Sequence, residues 1–255
     1  MKKVLVSVLF LSLLCIPFSA YALEVGVRGY YWFPELDGDV TVDESGILGT
    51  KIDFEDDLGM DDEDYPVVEA FVGLGNHHFS VSAMHIDYSG SETLTKQIVF
   101  QGETYAIGEN VKSSLKYDMV DAEYQYDIID LENILAGFSI GVIAKVKWVD
   151  GEVEIKSITT PALSEKETFA APIPMVGVGV HVGLIADILE ARVKATGIGY
   201  SGNALYDVMG DISFTPFPFV DIHGGYRIIH LDIDVDDVEL NYDMSGPYAA
   251  VTISF

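Results

Sequence analysis

The sequence predicts a closed antiparallel β-barrel that crosses a membrane, on three observations. Beyond residue 22 the chain alternates apolar and polar residues with a period of two, and nowhere carries an apolar stripe of helical period and length. The polar face of these runs holds glycine and charges of both signs, while the opposite face is apolar. Long polar loops alternate with short turns between the runs.

The elements follow in order. Lys2 and Lys3 precede an apolar stretch, Val4 to Phe18, and Ala20-Tyr21-Ala22 closes it with small residues. This is the pattern of a secretory signal peptide over 1–22, cleaved after Ala22, with the barrel over 23–255. Pro17 and the shortness of the stretch argue against a retained anchor. The single cysteine, Cys15, lies inside it behind Leu14, where a lipoprotein needs a small residue. The mature chain therefore has no thiol for disulfide, metal or nucleophile chemistry.

Ten strands are expected, at roughly 23–33, 66–75, 78–100, 111–127, 135–157, 167–184, 188–201, 204–215, 219–232 and 238–255. In the first, Val25, Val27, Gly29 and Tyr31 share one face, with Arg28 and Tyr30 on the other. In the fifth, Ile140, Val142, Ala144, Val146 and Trp148 oppose Ser139, Gly141, Lys145 and Lys147. The last sets Ala249, Val251, Ile253 and Phe255 on one face. The links 34–65, 90–110 and 151–166 are long; those at Gly75-Asn76-His77 and Pro216-Phe217-Pro218 are short.

Alternation alone does not separate a membrane barrel from a soluble one; the placement of charge and aromatic rings does. Arg28, Lys145, Lys147, Arg192, Lys194 and Arg227 share the polar face with Glu69, Glu123, Glu190, Asp207, Asp211 and Asp221. Such a face reads as a narrow lumen filled by ion pairs, and second as a selectivity path. Tyr30, Tyr31, Trp32, Tyr88, Trp148 and Tyr200 gather toward the long-loop end, and Phe79, Phe138, Phe214, Phe217 and Phe219 toward the other. Two interfacial girdles are expected from them.

A final strand of alternating apolar residues ending in Phe255 resembles the signal read by the barrel-assembly machinery of Gram-negative bacteria. Ile52-Asp53-Phe54-Glu55-Asp56-Asp57-Leu58-Gly59, Gly225-Tyr226-Arg227 and Ser245-Gly246-Pro247-Tyr248 are similar to stretches of uncharacterised, porin-like outer-membrane barrel proteins of proteobacteria. The resemblance covers the mature chain and implies an outer-membrane location, with lipid, lipopolysaccharide and the assembly machinery as partners. It carries no activity with it.

Charge bounds the partners. Forty-one acidic residues against 14 basic give a net of -27 over 255 residues, which repels nucleic acid. With 49% hydrophobic residues the acidity is not that of a disordered chain. It concentrates in 34–65, with thirteen acids against Lys51, and in 232–243, with six acids and no base. In a closed barrel these two segments are neighbours on the outer rim. Asp56, Asp57, Asp61, Asp62, Asp234 and Asp236 are the candidate oxygen ligands for calcium or magnesium there, without EF-hand spacing, and no cofactor is required. A solvated acidic rim that attracts cations diffusely is the simpler reading.

Two His-x-Asp triplets, His85-Ile86-Asp87 and His230-Leu231-Asp232, fall near the outer ends of their strands. Histidine beside carboxylate can activate water, so an omptin-like protease or a lipid A-modifying hydrolase is the alternative to a non-enzymatic protein. The expected function is a narrow conduit or a structural surface protein with a cation-attracting rim.

Overall fold

The computed structural model describes residues 23–43, 48–131, 137–160, 163–185, 188–235 and 238–255. The signal peptide expected over 1–22 lies outside these residues, as does Asp236.

Ten strands close into an antiparallel barrel: β1 (Leu23–Trp32), β4 (Tyr65–Leu74), β5 (His77–Thr93), β8 (Asn110–Asp130), β9 (Ser139–Ser157), β10 (Ser164–Ile185), β11 (Leu189–Tyr200), β12 (Asn203–Phe217), β13 (Val220–Val235) and β14 (Val238–Ser254). Each pairs with its sequence neighbour, and β1 closes on β14 from Gly26–Ser254 to Trp32–Tyr248. Closure pairs the strands with one another in lipid, where an unpaired backbone group costs several kcal/mol, except that β10 has β11 beside it only from Val176 onward. The described residues contain no helix.

All three of the expected long loops contain strand: β9 runs on to Ser157 and β10 begins at Ser164, which shortens the expected link 151–166, and the other two carry strands of their own. Segment 34–65 contains β2 (Glu35–Val42) and β3 (Ile52–Asp53), and β2 continues the wall by pairing with β14 from Val42–Val238 to Glu35–Ser245. Segment 94–109 carries the hairpin β6 (Ile98–Phe100) and β7 (Glu103–Tyr105), turned by Gln101 and Gly102 at positive φ. The third expected strand therefore ends at Thr93 rather than at residue 100. Sequence periodicity merges the two because the apolar run Ile98–Phe100 has strand composition but packs as a separate hairpin.

The hydrophobic pattern changes phase part-way up the wall. In lower β5 the apolar Phe79, Val81 and Ala83 face outward and Ser80 and Ser82 inward; above them Met84, Ile86 and Tyr88 face inward while His85 and Asp87 face outward. On β8 the change falls between Val120 and Met119, on β9 between Trp148 and Val149. Val120 sits opposite both Ala83 and Trp148, so the changes line up as one belt across β5, β8 and β9. Below the belt the exterior is apolar and the interior polar, as lipid demands; above it the strands stand in water around an apolar core. β8, β9 and β10, at 21, 19 and 22 residues, are about twice the 9–11 residues that span a bilayer, which leaves the upper half outside it.

The phase change corrects the outer girdle. Tyr31 and Trp148 face outward as expected, but Tyr30, Trp32 and Tyr88 point into the barrel and are buried. Tyr200, at the tip of the short β11–β12 turn, shares the face of the lumen residues Lys194 and Thr196 and is 83% exposed. At the other end Phe79, Phe214, Phe217 and Phe219 are exposed, and Phe219 stacks on Phe255 at 5.4 Å.

Candidate functional site

The lumen divides into three levels. At mid-height a knot of ionised side chains fills it. Asp207 Oδ2 lies 2.8 Å from Lys145 Nζ and 3.1 Å from Lys147 Nζ. The Arg227 guanidinium donates to both oxygens of Asp207, at 3.0 and 2.8 Å, and to the Tyr30 hydroxyl at 2.9 Å. Asp121 binds the same two lysines at 2.9 Å. The cluster is assembled from β8, β9, β12 and β13, which is why no local motif announces it. Charges so deeply buried are tolerable only when paired and hydrogen-bonded, and here each has at least one partner of opposite sign.

Above the knot the lumen is apolar, where the sequence predicts a narrow polar interior filled by ion pairs. Trp32, fully buried, presents its ring face to Arg227, with 5.2 Å from guanidinium carbon to ring centroid. Tyr30 packs on Tyr248, Tyr65 on Tyr88, and the hydroxyls of Tyr117 and Tyr242 meet at 2.8 Å. The loop between β3 and β4 caps this layer with Phe54, Leu58 and Met60, all buried. Its acidic residues hold its own backbone. Asp53 Oδ1 accepts from the Glu55 and Asp56 amides at 3.0 and 2.8 Å, and Asp57 Oδ2 accepts from the Asp53 amide at 2.8 Å. Leu58 approaches so near that a Cβ at Gly90 would stand 2.1 Å from its carbonyl oxygen, and Ser113 Oγ donates to the same oxygen at 2.9 Å. Lys96, from the next loop, binds Asp57 at 2.6 Å. The β6–β7 hairpin completes the lid. Burial pushes the Tyr105 phenol up to about 12, while hydrogen bonds from Ser157 and Thr160 hold the Glu109 carboxyl below its usual range.

Below the knot lies a polar cavity of about 460 Å³ at the periplasmic end, lined by Arg28, Glu69, His78, Asp127, Arg192 and His223 among others. Arg28 pairs with Glu69 at 3.6 Å, Lys194 with Glu123 at 2.5 Å, and His78 with Asp127 at 3.0 Å. Alternation places these residues on the inner face, but their convergence depends on the barrel's curvature.

The rim residues singled out in the sequence stand apart from one another. His85 and Asp87 face outward on β5, His85 Nδ1 lying 2.8 Å from Asp118 and Asp87 bound to Lys116 at 2.9 Å. His230 faces outward on β13, stacked on Tyr206 and 2.6 Å from Asp243; Asp232 is exposed on the same face. Each histidine thus meets a carboxylate of the adjacent strand rather than that of its own triplet. Asp57 is buried on Lys96, and Asp62 accepts from the Leu36 amide at 2.8 Å. Asp56, Asp61 and Asp234 are exposed. Among the described residues no three histidine, cysteine, aspartate or glutamate side chains converge as a metal site.

No protein-family model and no curated protein sequence matches the chain. Among solved structures, the outer-membrane protease OmpT of Escherichia coli superposes with a TM-score of 0.64 at 7% identity, over 93% of this chain and 99% of that one. The translocator domain of the autotransporter NalP from Neisseria meningitidis gives 0.42 at 9% identity over 100% and 96%. The attachment invasion locus protein Ail of Yersinia pestis gives 0.36 at 12% over 91% and 98%. The first likeness establishes the fold. Together with the apolar belt, it makes the chain an integral β-barrel of the Gram-negative outer membrane.

Proposed function

We propose that the chain is a non-conducting surface protein, in which the barrel anchors an ordered, acidic extracellular lid. One observation carries this reading: the outer half of the lumen is filled by Trp32, Tyr117, Tyr242 and Met244 under the Phe54–Met60 cap. Each such side chain contributes about 1.5–3 kcal/mol on burial, so opening a path past several of them is costly. The charge knot beneath adds a second barrier, since an ion crossing it must displace a buried, hydrogen-bonded partner. Carboxylates not used to hold the lid, such as Asp56, Asp61 and Asp234, give the exposed face a cation-attracting character suited to calcium or magnesium in a diffuse layer. The terminal strand, whose Phe255 amide donates to the Val25 carbonyl at 2.9 Å, is assigned as the segment engaged by the assembly machinery. Planar-bilayer recording tests the central claim: the refolded protein is expected to give no unitary current at any voltage, and reproducible single-channel steps would overturn it.

A further inference from the structure

β10 has an open edge. It pairs with β9 from Ser164–Lys156 to His181–Ser139 without a slip, but with β11 only from Val176 down to Ile185. Among the described residues, Ser164 to Met175 has no strand on its second side, because the β11–β12 hairpin turns low, at Ser201-Gly202. From Lys166 to Pro172 the side chains are exposed on both faces, Phe169 at 36%, whereas Met175 at the foot of the edge is buried.

The backbone of this edge is not uniform. Gly183 donates its amide toward the β9 side, to Gly137 O at 3.2 Å, so odd-numbered amides of β10 face β9 and even-numbered ones face the opening. Pro172 and Pro174 are even. Pro172 lies opposite the interfacial Trp148 and Pro174 opposite the lipid-facing Val146, so both sit at bilayer depth. An unpaired amide there has no water to bind, and proline removes it; the next even residue, Val176, already pairs with Gly197. Above the interface, Lys166, Thr168 and Ala170 keep their amides on the open side. The sequence thus silences the edge only within the membrane, although edge strands in water are commonly blocked too.

We propose that the open edge of β10, over Ser164 to Ala171, is a docking site for an extended, cationic segment of another protein, added as an antiparallel strand. Strand addition supplies affinity through main-chain bonds, and flanking side chains select the guest. Glu152, Glu154, Glu165 and Glu167 flank the edge against Lys156 and Lys166, of which Lys166 is held by Glu152 at 2.7 Å. A basic strand complements that charge. A second copy does not, since it carries the same acids; inserted in the same membrane, its β10 also runs the same way and meets this edge only as the weaker parallel pair.

The test uses the full mature chain in lipid nanodiscs and a fluorescein-labelled peptide alternating lysine and valine. Saturable binding read by anisotropy is expected. The double variant Thr168→Pro/Ala170→Pro, which extends the chain's own proline spacing and spares the β9 ladder, is expected to weaken binding by roughly tenfold or more, the loss of two hydrogen bonds. Two peptides N-methylated at alternate positions separate strand addition from plain charge attraction on the unaltered protein, whether or not the proline variant folds: one set of methyl groups abolishes binding and the other spares it. Absence of binding, or equal binding by both methylated peptides, overturns the proposal.

Discussion

Asp207 is the residue on which the lumen depends. Its carboxylate accepts from Lys145, Lys147 and the Nε and Nη2 of Arg227, so its loss leaves three buried cations sharing Asp121. Removing one partner of a buried ion pair costs about 3–5 kcal/mol. Asp207→Asn is therefore expected to lower the guanidinium midpoint of the refolded protein sharply, whereas Glu24→Gln, at the exposed periplasmic end, leaves it nearly unchanged. A midpoint for Asp207→Asn equal to that of the parent would show that the knot adds nothing to stability. The sequence made Asp207 legible as an inward residue, because it alternates with Tyr206 and Val208. Which residues it meets was not legible, because Lys145 and Asp207 are 62 positions apart and join only across the lumen.

The phase change along the strands belongs to the scale of the element. On β9, Val146 and Asp150 share the outer face, yet one lies in lipid and the other in water. Val146→Lys, two residues below the interfacial Trp148, is expected to destabilise the barrel by roughly 1–3 kcal/mol, between the interfacial and midplane costs of a cation in lipid, and Asp150→Lys by almost nothing. Equal effects in urea unfolding from phosphocholine vesicles would place the belt elsewhere. This signal was available in the sequence: Val149, Val153 and Ile155 take over the face of Lys145 and Lys147 as the strand continues. Strict alternation hides it, since a period-two pattern reports that two faces differ and not which medium each one meets. For the same reason Tyr30, Trp32 and Tyr88 read as girdle residues until the closed sheet turned their side chains inward. The lid strands β2 and β3 escaped because Gly, Asp and Glu dominate their surroundings, a composition that favours loops.

At the scale of the molecule, the two tryptophans report on both media. Trp32 is sealed inside the lumen, and Trp148 is 43% exposed on the outer wall at the belt. Spin-labelled lipids carrying the label near the headgroup are expected to quench the Trp32→Phe variant strongly, lipids labelled at the chain end weakly, and neither to quench Trp148→Phe appreciably. Strong quenching of Trp148→Phe would put Trp32 against lipid and invert the barrel's inside and outside. What the sequence by itself determined is the strand count, the antiparallel closure and the polar character of the lower lumen, because alternation and turn residues are local properties of the chain. Whether the lumen is closed, how the loop acids bind their own backbone, and where β10 is left without a neighbour were decided only by the tertiary structure. Those features depend on strand lengths, stagger and curvature, which bring residues of distant strands together and leave a hairpin short of the strand beside it.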